Sequence, residues 1–159
     1  MNLSPHFTLT EATVSDTAAR LGINNQPDSK QLENMIYAAE RLEILREYLG
    51  VYIHVTSWLR VPALNLVIPG SSSTSAHMDG FAVDCSTGSM SPLQLCKEAA
   101  ALYKTKKIKF DQIIHEYGNW MHISFAKRER EQLLTIFKND QGKKYLPGLL
   151  TREQYLIYR

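Results

Sequence analysis

The chain has 159 residues, of which 44% are hydrophobic and 21% charged, and this length and composition are typical of one well-buried domain. Its formal net charge is only +2, and its basic residues are scattered apart from the run 104–109, so the sequence predicts no nucleic-acid-binding surface. No stretch approaches the roughly 18 consecutive apolar residues of a membrane-spanning helix, and we expect no membrane insertion.

Two sequence features bear on where the chain works. Its first residues lack the basic and apolar regions of a secretory signal, so we expect synthesis in the cytosol. Its two cysteines, Cys85 and Cys96, are too few for a disulfide framework and lack the C-x-x-C spacing of a thiolate zinc site or redox motif. We interpret both cysteines as small buried apolar residues.

The N-terminal part of the chain predicts two helices. Thr8 and Glu11 have capping-box spacing, which predicts a helix over residues 8–21 that ends at a glycine. From residue 28 to 49 the apolar positions recur at intervals of three and four, which predicts one long helix that ends at Gly50. We expect its apolar stripe to pack into the core.

The middle of the chain predicts two strands joined through a loop. Residues 51–57 are β-branched and alternate in polarity, as in a half-buried strand. Residues 69–75 are rich in Gly and Ser and predict a surface loop of the kind that carries function. Residues 81–86 predict a second strand, on which Asp84 faces a cleft while its neighbours face the core.

The C-terminal half predicts a helix, a hairpin and a peripheral segment. Ser91 followed by Pro predicts a helix N-terminus, and the helix should extend to about residue 104. The apolar runs 110–117 and 120–125 flank Gly118-Asn119 and predict a β-hairpin. Residues 127–159 are charged and predict one or two peripheral helices.

Three residues of these segments are candidate metal ligands. His77 follows the Gly/Ser-rich loop, Asp84 lies seven residues later, and His122 lies on the second strand of the hairpin. Two imidazoles and one carboxylate suit Zn²⁺ and leave a coordination position for water. They converge only if their strands share a sheet. On spacing alone, the alternative is that His77 and His122 are unrelated hydrogen-bonded residues.

The motifs around these residues resemble the zinc D-Ala-D-Ala carboxypeptidase family of metallopeptidases, in particular phage-borne members used as endolysins. The resemblance covers about residues 3–126. It implies an α+β fold with a small antiparallel sheet and flanking helices, the zinc D-Ala-D-Ala peptidase or hedgehog-like fold. From the length and composition we expect a single domain over 1–159, with 127–159 as a C-terminal extension of the family-like part. The motifs read Thr56-Ser57-x-x-Arg60-x-x-x-x-Asn65, Ser75-x-His77-x-x-Gly80-x-Ala82-x-Asp84 and Glu116-x-x-x-Trp120-x-His122.

The resemblance also implies roles for individual residues. The positions of His77, Asp84 and His122 hold a single Zn²⁺ in the family. Arg60 matches the arginine that reaches the substrate near its scissile carbonyl or carboxylate, and Ser75 matches a residue that supports the His77 loop or the substrate. The chain departs from many relatives just before this arginine, since the dipeptide 58–59 is Trp-Leu where they have Gly and an aromatic residue.

The general base is assigned by the same resemblance. Many relatives carry an acid three residues before the last ligand, but this chain has Asn119 there, which cannot accept a proton. Glu116 matches the acid of the phage members, provided that the hairpin bend is longer than two residues, and we predict that it is the general base. His115 and Asp79 are alternatives. Trp120 is predicted to line the cleft and contact the substrate.

The sequence thus predicts a Zn²⁺-dependent peptidase that hydrolyses peptidoglycan stem peptides, at D-Ala-D-Ala or at L-Ala-D-Glu. We expect a monomeric phage lysis enzyme, made in the host cytoplasm and acting on the cell wall after release. One alternative is a host carboxypeptidase that remodels its own wall. Another is a non-catalytic, zinc-binding wall-binding or virion component, which the missing acid at Asn119 favours. A third is a cytosolic metal-binding domain unrelated to the wall.

Overall fold

The computed structural model describes residues 1–158, and the chain forms two compact units. The first unit comprises Met1–Gly50 and Val55–Val83. The second unit comprises Val51–His54 and the residues from 84 onward. The single domain over the whole chain stays a prediction. Among the described residues, no helix combines the length and the apolar character that a membrane span requires.

Two short helices open the first unit, α1 (Leu9–Thr13) and α2 (Asp16–Leu21). The predicted capping box is confirmed, but the prediction of one continuous helix over 8–21 is wrong. The reason is Ser15, whose backbone is extended and whose side chain accepts a hydrogen bond from the N–H of Ala18. A serine in this role starts a new helix instead of continuing the old one.

The long helix of the first unit is α3 (Ser29–Leu49), as the periodicity predicted. Asp28 caps its N-terminus, and Gly50 ends it in the left-handed conformation that a glycine adopts without strain. The predicted apolar stripe is confirmed at its centre, because four of its side chains are fully buried. These four are Met35, Ala39, Leu42 and Leu45.

The remainder of the first unit leads to the loop that carries His77. Strand β1 (His54–Ser57) is shorter than the predicted strand over 51–57, and helix α4 (Pro62–Val67) follows it. The predicted loop over 69–75 is confirmed, since it contains turns but no helix or strand. Strand β2 (Ala82–Ser86) comes next, and its last three residues belong to the second unit.

The second unit begins with the predicted helix and hairpin. Helix α5 (Pro92–Thr105) is capped by the Ser91 side chain, as predicted. Strands β3 (Gln112–Glu116) and β4 (Trp120–Ser124) form the predicted antiparallel hairpin. Both cysteines are buried and free, which confirms their interpretation, and burial raises the pKa of Cys96 to about 12.

The C-terminal segment corrects the sequence analysis. Residues 127–159 were predicted to form peripheral helices, but they contain strands β5 (Gln132–Asn139) and β6 (Gly142–Pro147) before the short helix α6 (Arg152–Leu156). Strand β5 pairs in parallel with β3, and β6 pairs antiparallel with β5. The prediction of helices is therefore wrong for most of this segment.

Within residues 1–158 the sheet has six strands, in the order β1-β2-β4-β3-β5-β6. It is mixed, because the pair β3–β5 is parallel, so the predicted small antiparallel sheet is wrong in this respect. The α+β class with flanking helices is confirmed. The hedgehog-like fold stays a prediction.

One buried carboxylate fixes the connection between β4 and β5. Asp111 is fully buried, and its two oxygens accept hydrogen bonds from the Nε and Nη2 atoms of Arg130, each at 2.8 Å. Arg128 lies 3.3 Å from the same carboxylate. Burial alone would raise the pKa of Asp111, but the hydrogen bonds and charges of these arginines outweigh it and lower the pKa.

Candidate metal centre

The imidazole of His77 is held by the backbone of Trp58. Its Nδ1 atom lies 2.6 Å from the Trp58 carbonyl oxygen, and the His77 side chain is fully buried. A carbonyl can only accept, so Nδ1 carries the proton in this contact. The other ring nitrogen, Nε2, is therefore the atom of His77 that can bind a metal.

The turn after His77 requires a glycine at position 80. Gly80 has φ of +83°, a conformation that residues with a side chain rarely adopt. A Cβ atom added there would lie 2.8 Å from the Gln31 carbonyl oxygen and 2.8 Å from Cγ of Met35. Gly80 therefore lets residues 77–80, which we call the ligand loop, approach the backbone of α3 closely.

Asp84 and His122 lie side by side in the second unit. Nδ1 of His122 lies 2.9 Å from Oδ1 of Asp84, and both residues are buried. The separation is close to the roughly 3.3 Å between two ligand atoms at the tetrahedral angle around zinc, given bonds of about 2.0 Å. Here the Nδ1–H of the imidazole donates a hydrogen bond to the carboxylate, and a cation bound by both atoms would take the place of that hydrogen.

The donors of all three candidate ligands form one group. One ligand atom each from His77, Asp84 and His122 lies within 4.8 Å of the others. Two neutral imidazoles and one carboxylate suit Zn²⁺, and all three side chains belong to buried residues. The three residues therefore fit a zinc ion.

Glu116 lies on the same face of the hairpin as His122. The turn between β3 and β4 has three residues, Tyr117 to Asn119, so Glu116 is directly opposite Trp120. Residues two apart on a strand share a face, and Oε1 of Glu116 accordingly lies 4.0 Å from Nδ1 of His122. Its side chain is only 16% exposed. A carboxylate thus stands beside the candidate ligands.

The other acids and bases near the motifs lie elsewhere. His115 is on the opposite face of β3, where its Nδ1 lies 3.2 Å from the Leu150 carbonyl and burial lowers its pKa. Asp79 is exposed. Asn119 is an exposed turn residue, so in this hairpin an acid at that position would lie in the turn and not on the strand face of Glu116.

Arg60 and Ser75 contact each other beside His77. Nη2 of Arg60 donates to Oγ of Ser75 at 3.3 Å, and the same oxygen accepts from the backbone N–H of His77 at 3.3 Å. The backbone N–H of Arg60 donates to the His77 carbonyl at 3.1 Å. Arg60 and Ser75 are thus tied directly to the ligand loop.

Trp120 contributes a buried donor. Its ring lies 5.6 Å from that of Tyr117 in an edge-to-face arrangement. Its Nε1 atom is buried, and within residues 1–158 it has no hydrogen-bond partner. Buried donors are rarely left unpaired in proteins, because their desolvation is costly.

The sequence of residues 5–124 matches the family model described as peptidase M15. The chain belongs to the peptidase M15 family. This membership confirms the resemblance to zinc D-Ala-D-Ala carboxypeptidases that the motifs indicated, and it identifies the chain as a member of a family of zinc-dependent metallopeptidases. No curated protein matches the chain. The M15 match ends at Ser124, the last residue of β4, so β5, β6 and α6 lie outside it.

Proposed function

We propose that this M15 peptidase hydrolyses a peptide bond in the stem peptides of bacterial peptidoglycan. The observation that carries the proposal is the group of His77, Asp84 and His122, whose donor atoms lie within 4.8 Å of one another. These residues would hold one Zn²⁺. When bound, the ion supplies a Lewis acid that makes water nucleophilic near neutral pH.

Glu116 is the proposed general base. Its carboxylate accepts a proton from the attacking water while the water oxygen bonds to the scissile carbonyl carbon. When the C–N bond breaks, Glu116 delivers that proton to the leaving amine nitrogen, so the residue returns to its starting form. Its distance of 4.0 Å from His122 and its small exposed fraction support this role.

Arg60 is proposed to stabilise negative charge on the substrate, either on the scissile carbonyl oxygen or on a terminal carboxylate. Its guanidinium donates to Ser75, and that contact fixes its side chain beside the ligand loop. Ser75 supports this arrangement from the other side, because it also accepts the N–H of His77. We propose Ser75 as a secondary substrate-binding residue.

Trp120 is proposed to contact the substrate through its indole N–H. This donor is buried and, among residues 1–158, without a hydrogen-bond partner. A peptide carbonyl of the substrate would satisfy it, and the bound substrate would then gain a hydrogen bond that water cannot readily provide.

The proposed biological role is that of a monomeric phage lysis enzyme, made in the host cytoplasm and acting on the cell wall after release. The bond cut is either D-Ala-D-Ala at the stem terminus or L-Ala-D-Glu nearer the glycan. The alternative of a non-catalytic wall-binding or virion component rested on Asn119. Asn119 lies in the turn, whereas the carboxylate of Glu116 lies beside the candidate ligand His122, and this weakens the argument from Asn119.

Digestion of purified Gram-negative and Gram-positive peptidoglycan tests the proposal. The protein is assayed after chelation and again after zinc is restored, and new chain ends are identified by mass spectrometry. We expect new D-Ala termini, or new L-Ala and D-Glu termini, which disappear with chelator and return with zinc. Binding to peptidoglycan without any new terminus would favour the non-catalytic component. Zinc binding with neither cleavage nor wall binding would favour a metal-binding domain unrelated to the wall.

A further inference from the structure

Each backbone carbonyl of the ligand loop, residues 77–80, accepts a hydrogen bond from another part of the chain. The Met78 carbonyl accepts a hydrogen bond from Nε2 of Gln31 at 2.7 Å. The Asp79 carbonyl accepts one from Nδ2 of Asn34 at 2.8 Å. Both donors are side chains of α3, three residues apart, and so lie on one face of that helix. Two consecutive carbonyls of the loop are therefore held by one helix.

Trp58 anchors both ends of the same loop. Its indole Nε1 donates to the Gly80 carbonyl at 2.9 Å, and its backbone carbonyl accepts from Nδ1 of His77 at 2.6 Å. The remaining carbonyl, that of His77, accepts from the backbone N–H of Arg60 at 3.1 Å. Trp58 is 1% exposed, so its position is itself fixed by the core.

Water could satisfy the carbonyls of an ordinary surface turn without any side chain. This loop instead uses three side chains that are distant in sequence, and Asn34 is buried while it does so. Because Gly80 has no side chain, the loop also lies directly against the backbone of α3. The loop conformation is thus set by tertiary contacts and not by the turn alone.

We propose that Gln31, Asn34 and Trp58 are positioning residues that set the affinity of the site for its metal. They hold the loop in the conformation that presents His77, so binding a metal need not order this backbone. The inference rests on the proposed zinc site. Contacts beyond the ligands themselves typically change metal affinity by about 10- to 100-fold, and we expect an effect of that size here.

Gln31 offers a sharp test because its side chain has two separable roles. Its Oε1 accepts from the backbone N–H of Asp28 in the capping box, while its Nε2 donates to Met78. Gln31→Glu keeps an acceptor for Asp28 and replaces the donor to the loop by a carboxylate oxygen, which cannot donate and repels the Met78 carbonyl. The matched control is Gln154→Glu, since Gln154 has the same capping-box role in α6 through the N–H of Thr151.

Asn34→Asp removes the second donor in the same way, and Trp58→Phe removes the third while keeping an aromatic ring. The added carboxylates of Gln31→Glu and Asn34→Asp would by themselves attract a cation. A weaker affinity in these variants would therefore be opposite in sign to the direct attraction between the added carboxylate and the cation. If one variant fails to fold, as judged by circular dichroism of the metal-free protein, the other two carry the same test.

The experiment titrates each metal-free protein with Zn²⁺ in competition with a chromogenic chelator. We expect the Kd for Zn²⁺ to rise by about 10- to 100-fold in Gln31→Glu, Asn34→Asp and Trp58→Phe and to be unchanged in Gln154→Glu. If those of the three variants that fold bind Zn²⁺ as tightly as the unmodified protein, the inference is overturned. If the unmodified protein itself does not bind Zn²⁺, the proposed function fails instead.

Discussion

Oε1 of Glu116 lies 4.0 Å from Nδ1 of His122, although the two residues are on different strands of the hairpin. The relationship depends on the three-residue turn, which puts Glu116 opposite Trp120 and so on the face that carries His122. A two-residue turn would shift the pairing and turn the carboxylate to the other face. The turn length therefore determines which acidic side chain lies beside the candidate ligand His122.

Glu116→Gln is expected to abolish most peptidase activity while leaving zinc bound. The amide cannot accept the proton of the attacking water, and the loss of a general base typically lowers kcat by about 10²- to 10⁴-fold. Turnover of a stem peptide and zinc content are measured on the same sample. Glu40→Gln, at an exposed position of α3, is the control and should keep full activity. Undiminished turnover in Glu116→Gln would exclude Glu116 as the base.

His77→Ala is expected to remove zinc binding, because it deletes one of three candidate ligands from a buried group. Equilibrium dialysis followed by elemental analysis measures the bound metal. His54→Ala is the matched control, since His54 is an exposed histidine of β1 outside the ligand group. A His77→Ala protein that retains one zinc ion per chain would show that the ligand assignment is wrong.

Gly80→Ala is expected to destabilise the fold by about 2 kcal/mol or more, because the position combines positive φ with a Cβ contact of 2.8 Å to the backbone of Gln31. Urea unfolding measures the free-energy change. Gly88→Ala is the control, since nothing lies within 4 Å of the added Cβ there and its φ is not positive. Equal stability of the two variants would contradict the close approach of the loop to α3.

Asp111→Asn is expected to lower the free energy of unfolding at pH 7 by about 2 kcal/mol, because hydrogen bonds to a charged group are lost. The pKa of Asp111 in the folded protein is below its usual value. Its contribution to the free energy of unfolding is therefore present above the unfolded pKa of about 3.9 and is lost as the pH falls through the folded pKa. The difference between the two proteins should therefore shrink below about pH 4. Thermal unfolding at pH 7 and pH 3 checks this, and a difference that grows on acidification would contradict it.

Local signals accounted for much of the fold. Helices α3 and α5 begin at capping side chains and could be predicted because a cap acts within one helical turn. The split between α1 and α2 was missed although Ser15 is a cap of the same kind. Strands β5 and β6 were missed because charged residues flank the apolar run 133–137, and its pairing with β3 is a contact between distant parts of the chain.

The candidate site, like the fold, could be predicted only in part from the sequence. The candidate ligands His77, Asp84 and His122 could be predicted because their residue types suit a metal and because their spacing resembles the motifs of the family. The anchoring roles of Gln31 and Asn34 could not, because these side chains are 47 and 45 residues from the carbonyls that they hold. On sequence alone they are ordinary polar residues of an amphipathic helix.

The most direct test of the account measures bound zinc and peptide-bond cleavage together. Metal-free protein is titrated with Zn²⁺ while elemental analysis gives the zinc bound per chain and mass spectrometry gives the stem-peptide termini released. We predict that cleavage rises in proportion to bound zinc and saturates at one ion per chain. Zinc-loaded protein that releases no termini, or metal-free protein that cleaves as fast as the loaded form, would contradict the account.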